Sequence, residues 1–229
     1  MKISGLQPQT LIDYPGKLAC TIFTQGCNFR CEYCHNSDIV IENGRNGRKK
    51  DDVLKFLKER KYFLNGVCIT GGEPTLNKDL PDFIRRIKKL GFLIKLDTNG
   101  TNPKMLKQLI DDKVIDYIAM DIKSPLEKYD SIANVEVKKD DIQKSVNIIK
   151  KFSNYEFRTT VVPGLFNEED AKSIGKWLKG SKRFYIQQFR GIKTINKEFM
   201  NKPPFTKNEL IKFCNIMKPY FEKCSIRGI

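Results

Sequence analysis

Three cysteines within eight residues are the first features that could do chemistry. Cys27, Cys31 and Cys34 stand as C-x3-C-x2-C inside the loop Gly26–Asn36, GCNFRCEYCHN. Three thiolates on one tight loop can hold three corners of a cubane iron–sulfur cluster, whose usual complement is four. A zinc site would want a fourth Cys or His at matching spacing. His35 is adjacent to Cys34 and badly placed to close the same tetrahedron. The spacing therefore favours a cluster with one iron open to a non-protein ligand, over structural zinc or unliganded thiols. His35 is also the one histidine of the chain. That removes Ser-His-Asp or Cys-His machinery built elsewhere, and any zinc site needing two imidazoles.

Further candidates close the apolar runs downstream. Gly71-Gly72-Glu73-Pro74 follows Val67–Thr70 directly. Its glycines let the backbone approach a ligand, and Glu73 could accept hydrogen bonds from an ammonium or ribose group. A plain strand-to-helix turn is the equally weighted alternative. Asp97 in LDTNG ends Phe92–Thr98, Asp121 in MDIK ends Ile115–Ile122, and Arg190 follows Arg183–Phe189. Each aspartate alone could be a helix cap or a satisfied structural carboxylate. Charged residues at successive strand C-termini, however, are where α/β enzymes build their sites.

The elements that must position these residues alternate. Strands are expected at Lys17–Thr24, Val67–Thr70, Phe92–Thr98, Ile115–Ile122, Tyr155–Val162 and Arg183–Phe189. Helical stripes lie between them: Leu80, Phe83, Ile84, Ile87 and Leu90; Ile142, Val146, Ile149 and Phe152; Ala171, Ile174 and Leu178. Thr206-Lys-Asn-Glu209 is a capping-box pattern that opens a C-terminal helix of about 206–223. Six strand–helix units argue for a parallel sheet, either doubly wound or part of a (β/α) barrel. The linker-like stretches Glu42–Lys50 and Asn201–Pro204 are too short to divide the chain, so residues 1–229 are expected to form one domain. Cys20 and Cys68 read as core, and Cys214 and Cys224 as free thiols rather than a second metal site.

Composition narrows the class. A chain of 229 residues with 40% hydrophobic and 30% charged residues is globular. It shows no secretion signal and no run of roughly 18 apolar residues, so a cytoplasmic, non-membrane protein is expected. The net charge is +15, from 42 basic and 27 acidic residues, and only ten of the 42 are arginine. Base readout and stacking lean on arginine and exposed aromatics. No cluster of either is present, so a solvated lysine-rich surface or an acidic protein partner is preferred to nucleic acid.

C-x3-C-x2-C followed by GGE resembles the radical S-adenosylmethionine (SAM) superfamily. The blocks LIDYPGKLACTIFTQGCNFRCEYCHN, GGEPT, LDTNG, MDIK and TTVVPG are similar to the glycyl-radical-enzyme activases. Within these they most resemble anaerobic ribonucleoside-triphosphate reductase activating proteins. The resemblance runs from about Leu11 to Gly164. It implies an α/β fold, a partial (β/α)6 barrel of the radical SAM type. It also implies a [4Fe–4S] cluster on Cys27, Cys31 and Cys34, with SAM chelating the fourth iron. Tyr33 and His35 would lie against the adenine or sulfonium side of SAM, and Gly71, Gly72 and Glu73 would receive its amino group. Asp97 and Thr98 match residues that help hold a monovalent cation beside SAM, with Asp121 shared between the two. Lys123 would contact the SAM carboxylate. Arg190 aligns where other activases carry a histidine, as a second carboxylate contact. The implied partners are a glycyl-radical enzyme and a ferredoxin or flavodoxin electron donor. Two other readings stand beside it: a small-molecule radical SAM enzyme such as the 7-carboxy-7-deazaguanine synthases, and a non-enzymatic iron–sulfur or nucleic-acid-binding protein.

Overall fold

The computed structural model describes residues 1–40 and 47–228. Positions 42–46 of the linker-like Glu42–Lys50 therefore lie outside the described residues. The chain gathers into two compact units of discontinuous segments. Met1–Asn28, Asp38–Thr98 and Asn102–Ile118 make the first; Phe29–Ser37, Asn99–Thr101 and Ala119–Ile229 make the second.

The first unit runs β1 (Ile3–Thr10), β2 (Ala19–Thr24), the end of the single-turn helix α1 (Ser37–Val40), α2 (Lys50–Arg60), β3 (Gly66–Gly71), α3 (Leu80–Lys88), β4 (Leu93–Thr98) and α4 (Pro103–Asp111). β1 is antiparallel to β2, while β2, β3 and β4 are parallel neighbours. The helices form where charge and caps allow. Asp51 and Asp52 open α2 and Lys58 and Arg60 close it, matching the helix dipole. Asn102 caps α4 by accepting from the Met105 amide at 3.1 Å, and Pro103 follows as a pre-organised first residue. Leu80, Phe83, Ile84 and Ile87 of α3 are all buried, as their spacing required.

β5 (Tyr117–Asp121) carries the chain from one unit to the other. The second unit continues through α5 (Tyr129–Ala133), α6 (Lys139–Lys150), β6 (Tyr155–Val161), α7 (Glu168–Trp177), β7 (Ser181–Gln188), α8 (Lys207–Met217) and β8 (Phe221–Arg227). β6, β7 and β8 are parallel in sequential order. Within each unit no strand order reverses, which is the winding of a barrel rather than of a doubly wound sheet with a switch point. Ile142, Val146 and Ile149, and likewise Ala171, Ile174 and Leu178, are buried. Thr206 and Glu209 form the expected capping box.

Two expectations needed correction at the termini. The C-terminal helix does not run to 223: α8 ends at Met217, a 3₁₀ turn covers Lys218–Tyr220, and Phe221–Arg227 is a strand. Pro219 cannot donate into a continuing helix, and Phe221 onward gains a ladder with β7, pairing from Ser181↔Phe221 to Gln187↔Arg227. β1 also escaped the reading. ISGLQPQT carries Gly5 and Pro8 and no clean alternation, which an outer strand tolerates.

Candidate active site

In the first unit, the start of the cysteine loop and the GGE turn are built against each other. Gly26 has a positive φ of 88°, and its carbonyl accepts the Glu73 amide at 2.8 Å. A Cβ on Gly72 would stand 1.8 Å from the Gly26 oxygen and 3.1 Å from the Cys27 nitrogen. One on Gly71 would lie 2.3 Å from the Thr24 backbone. Backbone meets backbone here, so nothing flexible could yield. The two glycines therefore fix where Cys27 leaves β2.

Glu73 is fully buried. Its Oε1 accepts the Thr75 amide at 3.0 Å, the Thr75 hydroxyl at 2.5 Å and the Thr98 hydroxyl at 2.8 Å. It thereby caps the 3₁₀ turn Pro74–Leu76 and ties the end of β3 to the end of β4. Asp97 and Thr98 lie at that β4 terminus as expected. Sequence reasoning missed Lys95, whose buried Nζ donates to Asp97 Oδ1 and sits 3.7 Å from Cys68 Sγ. The signal was available, because positions 95 and 97 of a strand share a face.

In the second unit, Cys31 and Cys34 bracket a tight turn in which the Cys34 amide donates to the Cys31 carbonyl at 3.0 Å. Tyr33 between them is buried. The turn is pinned from two sides: the Arg30 amide donates to the Ala133 carbonyl at 2.8 Å, and the Asn196 amide to the Glu32 carbonyl at 2.9 Å. Burial pushes both thiols up, and the opposing pull, from the Lys123 ammonium on Cys31 and from the Asn36 backbone and then Lys123 on Cys34, only partly offsets it. Burial and then Lys123 push His35 below its usual range, so its imidazole is neutral at pH 7.

Asp121 closes β5, with Arg158 Nε donating to its Oδ1 and Lys123 Nζ to its Oδ2 at 3.3 Å. Burial alone would raise its carboxyl, but Arg158 and Lys123 hold it well below the usual carboxylate range. Burial likewise opposes the charge on Lys123, and Asp121 more than offsets it. Arg158 was also missed, although it lies in the quoted strand Tyr155–Val162. The Tyr129 hydroxyl donates towards the Asp121 carbonyl at 3.5 Å and accepts the Lys123 amide at 3.3 Å. Arg190 is exposed, two residues beyond β7.

Among the described residues, no three Cys, His, Asp or Glu side chains form a ready-made metal cage. Cys20 and Cys68 are core residues, as expected. Cys214 on α8 and Cys224 on β8 are half-buried, with sulfurs 3.7 Å apart and no disulfide. No described helix is long and apolar enough to cross a membrane.

Residues 21–178 match the family model of the Radical SAM superfamily. A Methanocaldococcus jannaschii protein, provisionally named a glycyl-radical enzyme activating enzyme, is 37% identical across 99% of this chain and 96% of its own length. The pyruvate formate-lyase 1-activating enzyme of Escherichia coli is 30% identical over 78% of this chain and 75% of its own. Among solved structures, Streptococcus suis SuiB bound to its precursor peptide SuiA is similar at a TM-score of 0.70 and 16% identity, over 91% of this chain. This chain spans 48% of that one. A domain of pyruvate-formate lyase-activating enzyme from Bacteroides vulgatus gives 0.57 at 19% identity, over 72% of this chain and 99% of the domain. The structural likenesses carry the fold alone, which is the α/β partial barrel of the radical SAM type.

Proposed function

The chain belongs to the radical SAM superfamily and, within it, to the glycyl-radical-enzyme activating enzymes; on that premise we propose which residues do the work and for which partner. The family's cofactors are an iron–sulfur cluster and SAM, and its substrate is a glycyl-radical enzyme. When bound, the reduced cluster and SAM together supply a carbon-centred radical able to take a hydrogen atom from a glycine Cα.

Cys27, Cys31 and Cys34 hold three irons of a [4Fe–4S] cluster. The donor set fits: three thiols on one short loop, two of them in a single turn. That turn is the observation that carries the reading. Gly71, Gly72 and Glu73 receive the SAM amino group. Lys123 receives its carboxylate, its ammonium standing with the Arg158 guanidinium beside Asp121. Arg190 reinforces that contact as a guanidinium able to grip a carboxylate bidentately. Tyr33 and His35 line the adenine or sulfonium side, and a neutral imidazole avoids placing a second cation against the sulfonium. The cation charge expected beside SAM falls at Asp97, Thr98 and Asp121, and Asp97 already has an ammonium on it.

The remaining work of the chain is to orient these groups and exclude water, since a carbon radical attacks whatever C–H it meets. No protein general base is called for, which suits a chain with one histidine. The partner is an anaerobic ribonucleoside-triphosphate reductase, the electron donor a ferredoxin or flavodoxin, and the compartment the cytoplasm. The +15 surface docks an acidic partner rather than nucleic acid. Anaerobic reconstitution, reduction and addition of SAM should give 5′-deoxyadenosine, and Cys31→Ala should abolish it. With the reductase added, a glycyl radical should appear by electron paramagnetic resonance. Product that persists in Cys31→Ala would sink the cluster assignment, and a radical formed only on a different glycyl-radical enzyme would sink the partner.

A further inference from the structure

Lys95 is a lysine where a chain can least tolerate one. Its side chain is 1% exposed, and a buried ammonium is costly unless paired. The pairing is local. Lys95 and Asp97 point to the same face of β4 because side chains alternate along a strand, and Nζ donates to Asp97 Oδ1. On the neighbouring strand β3, Cys68, in register with Lys95, offers its sulfur at 3.7 Å. Thr98, next along, donates its hydroxyl proton to Glu73.

Asp97 is also the carboxylate that the family resemblance assigns to a monovalent cation beside SAM. An alkali-metal ion does not fit that carboxylate in this chain. One ammonium already pairs with it, and an alkali-metal ion there would sit against Nζ in a poorly screened interior. An ammonium carries the charge of K+ and is close to it in size. We propose that Lys95 is the chain's own built-in cation, standing where the resemblance places an alkali-metal ion, so that SAM binding requires neither K+ nor Na+. Lys95 is then a positioning residue: it holds Asp97 ionised and fixed, and touches no reacting atom. The inference rests on the proposed SAM site.

The test uses the cluster-reconstituted protein and two readouts, equilibrium dialysis of radiolabelled Rb+ and of SAM. Wild type should show no saturable Rb+ binding with or without SAM, and equal SAM affinity in KCl and choline chloride. Lys95→Met should gain an Rb+ site and bind SAM about tenfold more weakly in choline than in KCl, the scale of coupling between linked sites. Saturable Rb+ binding to wild type would overturn the proposal. So would Lys95→Met that binds SAM equally in both salts. The wild-type dialysis needs no variant, so it decides even if Lys95→Met does not fold. Protein that binds no SAM in either salt would instead remove the proposed SAM site, and the Rb+ result would still judge Lys95.

Discussion

In the first unit, Asp97 stands two residues after Lys95; in the second, Asp121 stands two residues before Lys123. The local signal is the same, a carboxylate and an ammonium on one side of an extended chain. The outcomes differ. Lys95 and Asp97 have side-chain exposures of 1% and 9%, and they form an ion pair. Asp121 is 29% exposed and Lys123 21%, and a third group, the 13% exposed guanidinium of Arg158, joins them. The first pair is sealed, while the second has partial access to solvent. Identical spacing thus yields a sealed ion pair in one place and, in another, a partly exposed pair joined by a guanidinium. Burial and the partner from a distant strand decide between them.

Substitutions should separate the two settings. Lys95→Met removes the ammonium from a buried carboxylate and should cost about 3–5 kcal/mol in urea unfolding. Adding Asp97→Asn should recover most of it, because no charge then remains to be compensated. If Lys95→Met alone is near neutral, the sealed-pair description is wrong.

Arg158→Met should cost less, about 2 kcal/mol at pH 7, the scale of one hydrogen bond to a charged group, because Lys123 still faces Asp121. Its pH dependence is diagnostic. The folded-state carboxyl of Asp121 is lowered by Arg158 and Lys123 against the opposing effect of burial. Its contribution is therefore complete above the unfolded value of about 3.9 and lost as pH falls through the folded one. The deficit of Arg158→Met should shrink below that pH, and a constant deficit would show that Arg158 acts through packing. The smallest effect belongs to Thr98→Val, which removes one donor to Glu73 Oε1 while the Thr75 amide and hydroxyl remain, and should cost about 1 kcal/mol. A loss as large as that of Lys95→Met would move the weight of the first unit from Lys95 to Glu73.

Much of this was legible without coordinates. The cysteine loop, the GGE turn and the strand-terminal aspartates lie in contiguous blocks, and β3, β4 and β5 end where the apolar runs end. The buried stripe of α3 followed from its period. The two glycines were read for ligand approach or for a plain turn, and the structure adds that they make room for the backbone at Thr24, Gly26 and Cys27. β8 was hidden because FEKCSIR is half-buried and polar along one face, so only its ladder with β7 identifies it.

The sequence by itself determined what depends on spacing along one chain. It placed three thiols in one loop, put lysine and aspartate on a common strand face, and set helix stripes at the period of 3.6 residues. Tertiary structure alone decided which charges are compensated and by whom. Arg158 reaches Asp121 from 37 residues away, on a strand whose Arg158 carbonyl accepts the Ile122 amide at 2.8 Å. Glu73 acquires the Thr98 hydroxyl across 25 residues. Backbone geometry is local and repeats with the sequence, whereas the free energy of a charge depends on its burial and its neighbours, which exist only once the chain has folded.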